Sequence, residues 1–261
     1  MKKTPFIQYY GAKGLSLVEL MVALLLGSII AAAATQLFLV NSQTNNLRSG
    51  LAFVQDQGRF AFSYISRDLM QAGFSDSGAL LTPFVFVNTT VPGGEVSGDD
   101  STNNNDVLVM QVDGGRDCIG NIFTGVKVYE VNADNGLLCK TRAYDEATDT
   151  WSVDSEVVVE GVMAFQVLYG IDTDSLGDPG YGAADFYSSA SNVVPATDRI
   201  VTVRYGLLIA SDRSVTSDTA FAPANVRVLD QNYGQADIPL NDGRAYRVYT
   251  STVGMRNLKD S

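Results

Sequence analysis

Residues 13–40, KGLSLVELMVALLLGSIIAAAATQLFLV, form an apolar stretch that one carboxylate, Glu19, interrupts near its start. The 21 residues from Leu20 to Val40 carry no charge, and the next charged residue is Arg48. As a helix with a rise of about 1.5 Å per residue, this segment would be about 30 Å long, which matches the hydrocarbon core of a bilayer. The stretch therefore predicts a membrane-spanning helix. Glu19 needs an explanation, because an ionised side chain inside a span costs about 2.5–3.5 kcal/mol on insertion scales.

The position of Glu19 and the residues before it allow more than one interpretation. On position alone, Glu19 lies at the end of the span and its carboxylate reaches the lipid headgroups. The preceding segment contains Lys2, Lys3 and Lys13 and no acidic residue, and a short basic leader of this kind is a targeting signal. Ordinary signal-peptidase cleavage within AAAATQ, residues 31–36, is an alternative. It is disfavoured because the apolar run resumes there as LFLV and because an ordinary signal core would not contain a glutamate.

The segment KGLSLVELMVALLLGSII closely resembles the N-terminal signature of type IV prepilins, in which a basic leader ends in glycine and a glutamate follows inside an apolar helix. The resemblance implies that a prepilin peptidase cleaves between Gly14 and Leu15 and methylates the new N-terminus. Leu15 is a mild departure, since the family more often has phenylalanine there. The resemblance also implies that Glu19 pairs with the N-terminal amine of a neighbouring subunit during assembly. A partner's ammonium would remove the cost of an unpaired carboxylate in lipid.

The span is predicted to continue as one long helix from about Leu15 to Ala72. No proline lies between Pro5 and Pro83, and Gly73 is a plausible stop. Beyond residue 40 the helix becomes amphipathic, with apolar residues at helical spacing: Leu47, Leu51, Val54, Ala61, Ile65 and Leu69.

After residue 73 the sequence changes to short runs rich in valine, tyrosine and threonine, separated by polar loops. These runs predict half-buried antiparallel strands at 84–87, 106–112, 126–131, 137–143, 157–171, 199–210 and 245–253. The predicted fold class is α+β, with a long N-terminal α-helix packed on a mainly antiparallel β-sheet globular domain, as in type IV pilins. The predicted segments are a leader peptide (1–14), a transmembrane and assembly half of the helix (15–40), an amphipathic half (41–73) and a periplasmic β-rich domain (74–261).

Three further stretches resemble the PilW family of minor pilins in particular: QDQGRFAFSYISRDLMQAGF (55–74), GVMAFQVLYGIDTD (161–174) and YRVYTSTVGMRN (246–257). The resemblance implies a minor pilin that primes or caps the type IV pilus fibre within a tip complex. Its implied partners are the prepilin peptidase, other minor pilins, the major pilin and a PilY-type tip adhesin. The implied location is the inner membrane, with the globular domain in the periplasm, and then the fibre or its tip. The sequence does not distinguish whether the pilus serves twitching motility, cell adhesion or DNA uptake. The alternatives are a type II secretion pseudopilin and a membrane-tethered periplasmic binding protein.

Two cysteines, Cys118 and Cys139, lie 21 residues apart in the domain expected to face the periplasm. An even number of cysteines in an oxidising compartment favours a disulfide, and closing this loop would contribute on the order of 3 kcal/mol. Cys118 follows one predicted strand and Cys139 lies inside another, which is compatible with a link between neighbouring strands. Two cysteines without any histidine give zinc too few soft ligands.

The composition argues against an enzyme and against direct nucleic-acid binding. No histidine is present, which removes Ser-His, Cys-His and His-metal chemistry, and no GxxxxGK[ST] loop exists to hold a nucleotide. A carbohydrate hydrolase using two carboxylates is the one enzymatic alternative that the residues leave open. The net charge is −11, and removal of the leader's three lysines makes it −14, whereas phosphate binding needs a basic patch.

One acidic segment, DTDSLGD, partly matches a calcium-binding loop. Asp172, Asp174 and Asp178 stand at loop positions 1, 3 and 7, with a glycine at position 6. The match is incomplete, because position 5 is a leucine, position 12 is an alanine, and Pro179 interrupts the loop. An acidic turn without a metal is the simpler interpretation, and no other cofactor is expected.

Overall fold

The computed structural model describes residues 14, 16–78, 81–86, 95–100, 104–145, 148, 150–216 and 223–257. The chain divides into two compact units, residues 1–45 and residues 46–261. Helix α1 (Leu17–Leu69) begins in the first unit and ends in the second, which confirms the predicted long N-terminal helix. The helix ends at Leu69 rather than at the predicted Ala72. The next residues form a turn that closes at Gly73, whose φ of +74° lies in the left-handed region that favours glycine.

In the first unit, the side chains of α1 are exposed along its whole length, and most of them are apolar. This part of the helix is long and apolar enough to cross a membrane, with a mean hydropathy of 2.4 over its most apolar window. Two hydroxyl groups of this apolar part are satisfied within the helix: Ser28 donates a hydrogen bond to the carbonyl of Leu25 (2.8 Å), and Thr35 donates to that of Ala31 (2.9 Å). A polar group paired in this way does not need water, so the segment suits a bilayer.

The second unit contains all of the described strands and one short 3-10 turn. The strands are β1 (Gly98–Asp100), β2 (Asn105–Arg116), β3 (Ile122–Val131), β4 (Gly136–Asp145), β5 (Thr150–Glu160), β6 (Val162–Asp172), β7 (Phe186–Ser188), β8 (Arg199–Ala210), β9 (Asn225–Val228), β10 (Gln231–Gly234) and β11 (Tyr246–Gly254), and the 3-10 turn is Ala190–Asn192.

Every pairing between these strands is antiparallel, and they form two sheets and a hairpin. The first sheet is a meander with the order β1-β2-β3-β4-β5, and the second sheet has the order β11-β8-β6-β7. The β9–β10 hairpin covers the second sheet, because Val228 and Tyr233 share an apolar cluster with Ala164 and Leu208. One long helix with antiparallel sheets confirms the predicted α+β class.

The part of α1 in the second unit lies against both sheets. Its buried apolar residues, among them Val54, Ala61 and Ile65, belong to the main core together with residues from both sheets. Gly58 lets the last strand approach the helix closely, since a Cβ atom there would lie 2.5 Å from the ring of Tyr249 on β11. The Tyr249 hydroxyl donates a hydrogen bond to the Val54 carbonyl (3.1 Å).

Two buried side chains of β2 join the sheets. Asn105 Oδ1 accepts a hydrogen bond from the backbone N–H of Phe165 (2.8 Å), and Asp106 Oδ2 accepts one from that of Val167 (2.7 Å). They therefore satisfy N–H groups of β6 that would otherwise be buried without a partner, which is costly.

The prediction of one strand over residues 157–171 is wrong. The strand is interrupted at Gly161, where φ is +72° and a Cβ atom would lie 2.5 Å from the carbonyl oxygen of Ala210. Residues before this glycine belong to β5 and those after it to β6, which lie in different sheets. A continuous apolar run cannot by itself show such a break, because both strands are rich in valine.

The predicted strand 84–87 is not a regular strand in the structure. Phe84 makes an isolated bridge to Met110, and the N–H of Val85 donates to the carbonyl of Val109 (3.1 Å), while Val87 lies outside the described residues. The strands β1, β7, β9 and β10 and the first half of β5 were not predicted from the sequence. The first four are three or four residues long, and β5 is largely exposed, so neither length nor alternation marks them.

Candidate functional site

The first functional region is the start of α1. Ser16 is the N-cap: its side-chain oxygen accepts a hydrogen bond from the N–H of Val18 (3.3 Å), and its carbonyl accepts the first helical bond, from Leu20 (3.1 Å). Gly14 is exposed and lies before the helix, while Leu15 lies outside the described residues. The predicted cleavage position thus comes two residues before the first helical residue, Leu17.

Glu19 occupies the third position of the helix and is exposed. Ser16 and Glu19 have the S-x-x-E spacing of a capping box, in which an acidic side chain also complements the positive end of the helix dipole. The carboxylate is therefore placed to favour the helix start electrostatically, besides its predicted docking role. This second role was not predicted, although the S-x-x-E spacing is visible in SLVE.

The second functional region is a buried ion pair that anchors α1 in the second unit. Lys127 Nζ on β3 lies 2.8 Å from Asp68 Oδ2 on α1, and the hydroxyl of Tyr129 donates to the same oxygen at 2.5 Å. All three side chains are buried. Burial lowers the pKa of Lys127, with the nearby Asp68 carboxylate opposing that shift, and burial raises the pKa of Tyr129 well above its usual value. The pair fixes the end of the helix to the first sheet.

The predicted disulfide is confirmed and lies beside this ion pair. Cys118 and Cys139 are bonded, with an S–S distance of 2.01 Å. The bond does not join two strands, since Cys118 belongs to the β2–β3 loop and Cys139 to β4. The loop folds back along the face of β3 that carries Lys127, whose Nζ lies 3.4 Å from the carbonyl oxygen of Asp117. The hydroxyl of Tyr64 on α1 donates to the carbonyl of Cys118 (2.7 Å), so helix, loop and disulfide form one structure.

The acidic loop after β6 brings together a different set of carboxylates from the predicted one. Asp172, Asp174 and Asp185 have oxygens within 4.8 Å of one another. Asp178 instead accepts a hydrogen bond from the N–H of Ser175 (3.1 Å) and so stabilises the turn. Desolvation, followed by the negative charges of Asp185, Asp172 and Asp178, raises the pKa of Asp174.

This set of oxygens suits calcium only in part. Carboxylate oxygens are the ligands that Ca²⁺ prefers. However, the guanidinium of Arg199 already lies 3.1 Å from Asp172 Oδ2, and the N–H of Gly182 donates to the same oxygen at 2.7 Å. Calcium binding here stays a prediction, with Asp185 in place of Asp178 as the third carboxylate.

Comparison with known proteins assigns the chain to a family. The sequence model described as Type IV Pilus-assembly protein W matches residues 128–257, and the prokaryotic N-terminal methylation motif matches residues 10–35. The chain belongs to the PilW family of type IV pilins. This PilW-family protein therefore functions in type IV pilus assembly and interacts with other pilus components, and its apolar N-terminal helix anchors it in a membrane. The family is one of structural proteins rather than enzymes.

Among solved structures, a type IV-like pilin from Thermus thermophilus is similar to this PilW-family chain. The sequence identity is 16%, the TM-score is 0.45, and the match covers 78% of this chain and 97% of that one. No curated protein sequence matches the chain.

Proposed function

We propose that this PilW-family protein is a minor pilin, present in few copies, that primes or caps the type IV pilus as part of a tip complex. The observation that carries the proposal is the arrangement at the start of α1. A carboxylate, Glu19, is exposed in the first turn of a helix of membrane-spanning length, just after the glycine that ends a basic leader. No partner for this carboxylate is expected from lipid, so an ammonium from a neighbouring subunit is the natural one.

The same proposal names the partners and the route of the chain. A prepilin peptidase would remove residues 1–14 and methylate Leu15, and the chain would wait in the inner membrane with residues 46–261 in the periplasm. It would then join other minor pilins, the major pilin and a PilY-type tip adhesin. We propose no catalytic activity and no direct nucleic-acid binding, given a chain without histidine and with a net charge of −11.

Replacing Glu19 tests the docking role, and the local role of Glu19 in the helix start decides the choice of variants. Glu19→Gln keeps a side chain that can complete a capping box but removes the charge, whereas Glu19→Ala removes both. We expect both variants to insert, to be cleaved and to stay abundant, because an uncharged side chain costs less free energy to place in lipid than a carboxylate does. Both should crosslink weakly to partner pilins and give few pili, and Glu19→Asp should be intermediate because its shorter arm misplaces the charge.

The readouts are surface piliation and the fraction of the protein found in sheared fibres. Defective assembly of Glu19→Ala with normal assembly of Glu19→Gln would show that helix capping, not charge pairing, is the role of this residue. If Glu19→Gln enters fibres as well as the parent does, the docking role is refuted.

A further inference from the structure

The β2–β3 loop, residues 117–121, is held in one conformation by its own side chains. The carboxylate of Asp117 accepts hydrogen bonds from the backbone N–H groups of Ile119 (3.0 Å) and Asn121 (2.7 Å) and from Asn121 Nδ2 (3.1 Å). The guanidinium of Arg116 donates to the carbonyl of Gly120 (2.7 Å). A loop ordered before binding loses little conformational entropy when a partner arrives.

The loop is also fixed to the rest of the second unit. The disulfide joins Cys118 to Cys139, and the hydroxyl of Tyr64 on α1 donates to the Cys118 carbonyl at 2.7 Å. Burial, with a contribution from the carboxylate of Asp68, raises the pKa of Tyr64 to about 12, so this hydroxyl keeps its proton at neutral pH. Loop, strand and helix therefore present one rigid surface.

That surface has an exposed apolar centre. Ile119, the residue after Cys118, is 65% exposed, although the loop around it is fully ordered by hydrogen bonds. Phe60 on α1 is 49% exposed, and its ring stacks on that of Tyr64 with a centroid distance of 5.6 Å. An isoleucine and a phenylalanine held rigidly in water are of the kind that anchor protein interfaces.

Two carboxylates on β5 lie at the rim of this centre. Glu156 is the Cα partner of Cys139, and Asp154 is the partner of Thr141 two residues further, so both side chains are on the sheet face that bears the disulfide. Both are exposed, and among the described residues neither has an ion pair. We call the surface formed by Phe60, Tyr64, Ile119, Asp154 and Glu156 the disulfide patch.

We propose that the disulfide patch docks another pilus subunit of different sequence, one that presents apolar side chains ringed by lysine or arginine. The inference rests on the proposed function and names the surface and the chemistry of one of its contacts. One guanidinium, that of Arg67, lies over the Tyr64 ring (5.2 Å to the centroid), but the two exposed carboxylates outnumber it, and a surface of net negative charge favours a basic partner. A second copy of this chain is the less suitable partner, since each copy carries a net charge of −11.

Photocrosslinking in piliated cells tests the proposal. A benzophenone side chain replaces Ile119 in one variant and Phe60 in another. The matched control replaces Ile122, which is 76% exposed and lies only three residues along the chain from Ile119. Strand alternation places Ile122 on the opposite sheet face, because Phe123, Lys127 and Tyr129 alternate onto the face that bears the disulfide.

We expect adducts from positions 119 and 60 and none from position 122. Mass spectrometry of these adducts should identify the second component as another pilin with a cleaved and methylated N-terminus. Adding Asp154→Lys and Glu156→Lys should lower the adduct yield about tenfold or more, because like charges facing each other across an interface are strongly unfavourable. These two substitutions lie on an exposed strand, so the chain should remain folded and abundant.

Other results would overturn the proposal. Equal yields at positions 119 and 122, adducts only with a second copy of this chain, or adducts only with proteins that lack a processed pilin N-terminus would each do so. An adduct yield that the charge reversals leave unchanged would also contradict it. Failure of the proposed function gives a different result, because the chain itself would then be absent from sheared pilus fibres, whereas failure of the docking proposal alone leaves a processed chain in the fibre without crosslinks from the patch.

Discussion

Replacing Lys127 by methionine should destabilise the second unit much more than an ordinary surface change. Lys127 Nζ and the Tyr129 hydroxyl both contact Asp68 Oδ2, and the Lys127 and Asp68 side chains are each only 3% exposed. Lys127→Met leaves the Asp68 carboxylate buried with a neutral hydrogen bond from Tyr129 at Oδ2 and, at Oδ1, only the longer contact of 3.7 Å with the half-exposed Arg67. Removing one partner of a buried pair typically costs about 3–5 kcal/mol.

The matched comparison is Arg142→Met. Arg142 pairs with Glu95 at 3.0 Å, but both side chains are about a quarter exposed, at 24% and 23%. The pair is bidentate, with a second hydrogen bond of 3.1 Å, but water reaches both side chains and Lys140 lies 3.8 Å from Glu95, so loss of the pair should cost about 1–2 kcal/mol, less than the loss of Lys127. The double variant Asp68→Asn/Lys127→Met removes both charges, and it should recover most of the stability lost in Lys127→Met, because no unpaired charge is then buried.

Urea unfolding of the detergent-solubilised full chain, with the disulfide intact, measures these differences. Trp151 on β5 is the single tryptophan, and its fluorescence reports on the first sheet directly. A shift in the unfolding midpoint without a change in slope gives the difference in the free energy of unfolding. Equal losses for Lys127→Met and Arg142→Met, or a double variant no more stable than Lys127→Met, would refute the interpretation of a buried anchor.

Three further predictions concern the N-terminus, the disulfide and Tyr64. Intact-mass analysis of membrane-extracted protein should show loss of residues 1–14 and one added methyl on Leu15; a mature chain beginning near residue 35 would instead show ordinary signal-peptidase cleavage. Cys118 and Cys139 should resist thiol labelling until a reductant is added, and replacing either with serine should cost on the order of 3 kcal/mol of stability; ready labelling of both in the native protein would contradict this. The raised pKa of Tyr64 means that the stability from its protonated hydroxyl is fully present below pH 10 and is lost as the pH rises through about 12. Unfolding measured across this range should therefore show a smaller pH dependence in Tyr64→Phe than in the parent, and identical pH profiles would rule out this contribution.

The features that the sequence predicted well are those that a local pattern determines. The apolar run, the helical spacing from Leu47 to Leu69 and the even number of cysteines each concern neighbouring residues or a single pair, and the structure contains the helix and the disulfide. The alternating runs gave β2, β3, β4, β8 and β11 to within a few residues at each end.

What the sequence could not show depends on residues far apart in the chain. Asp68 and Lys127 are 59 residues apart, and each looks like a surface charge in its own segment. The interruption of the strand at Gly161 depends on the Ala210 carbonyl, 49 positions away. The third carboxylate of the acidic cluster, Asp185, lies beyond the 12 residues from Asp172 that a calcium loop would occupy. Such choices are made by tertiary packing, which overrides local preference.

The contact between Gly58 and Tyr249 also has a consequence for the order in which the chain folds. The helix is synthesised well before the strand that closes over it, since Tyr249 follows Val54 by 195 positions. Until β11 has packed, the helix face beneath it has no cover from that strand, and a chain cut short before β11 would keep that face open to proteases. Because contacts between such distant residues form slowly, we expect this face of the helix to be covered late in folding, after β11 has been made.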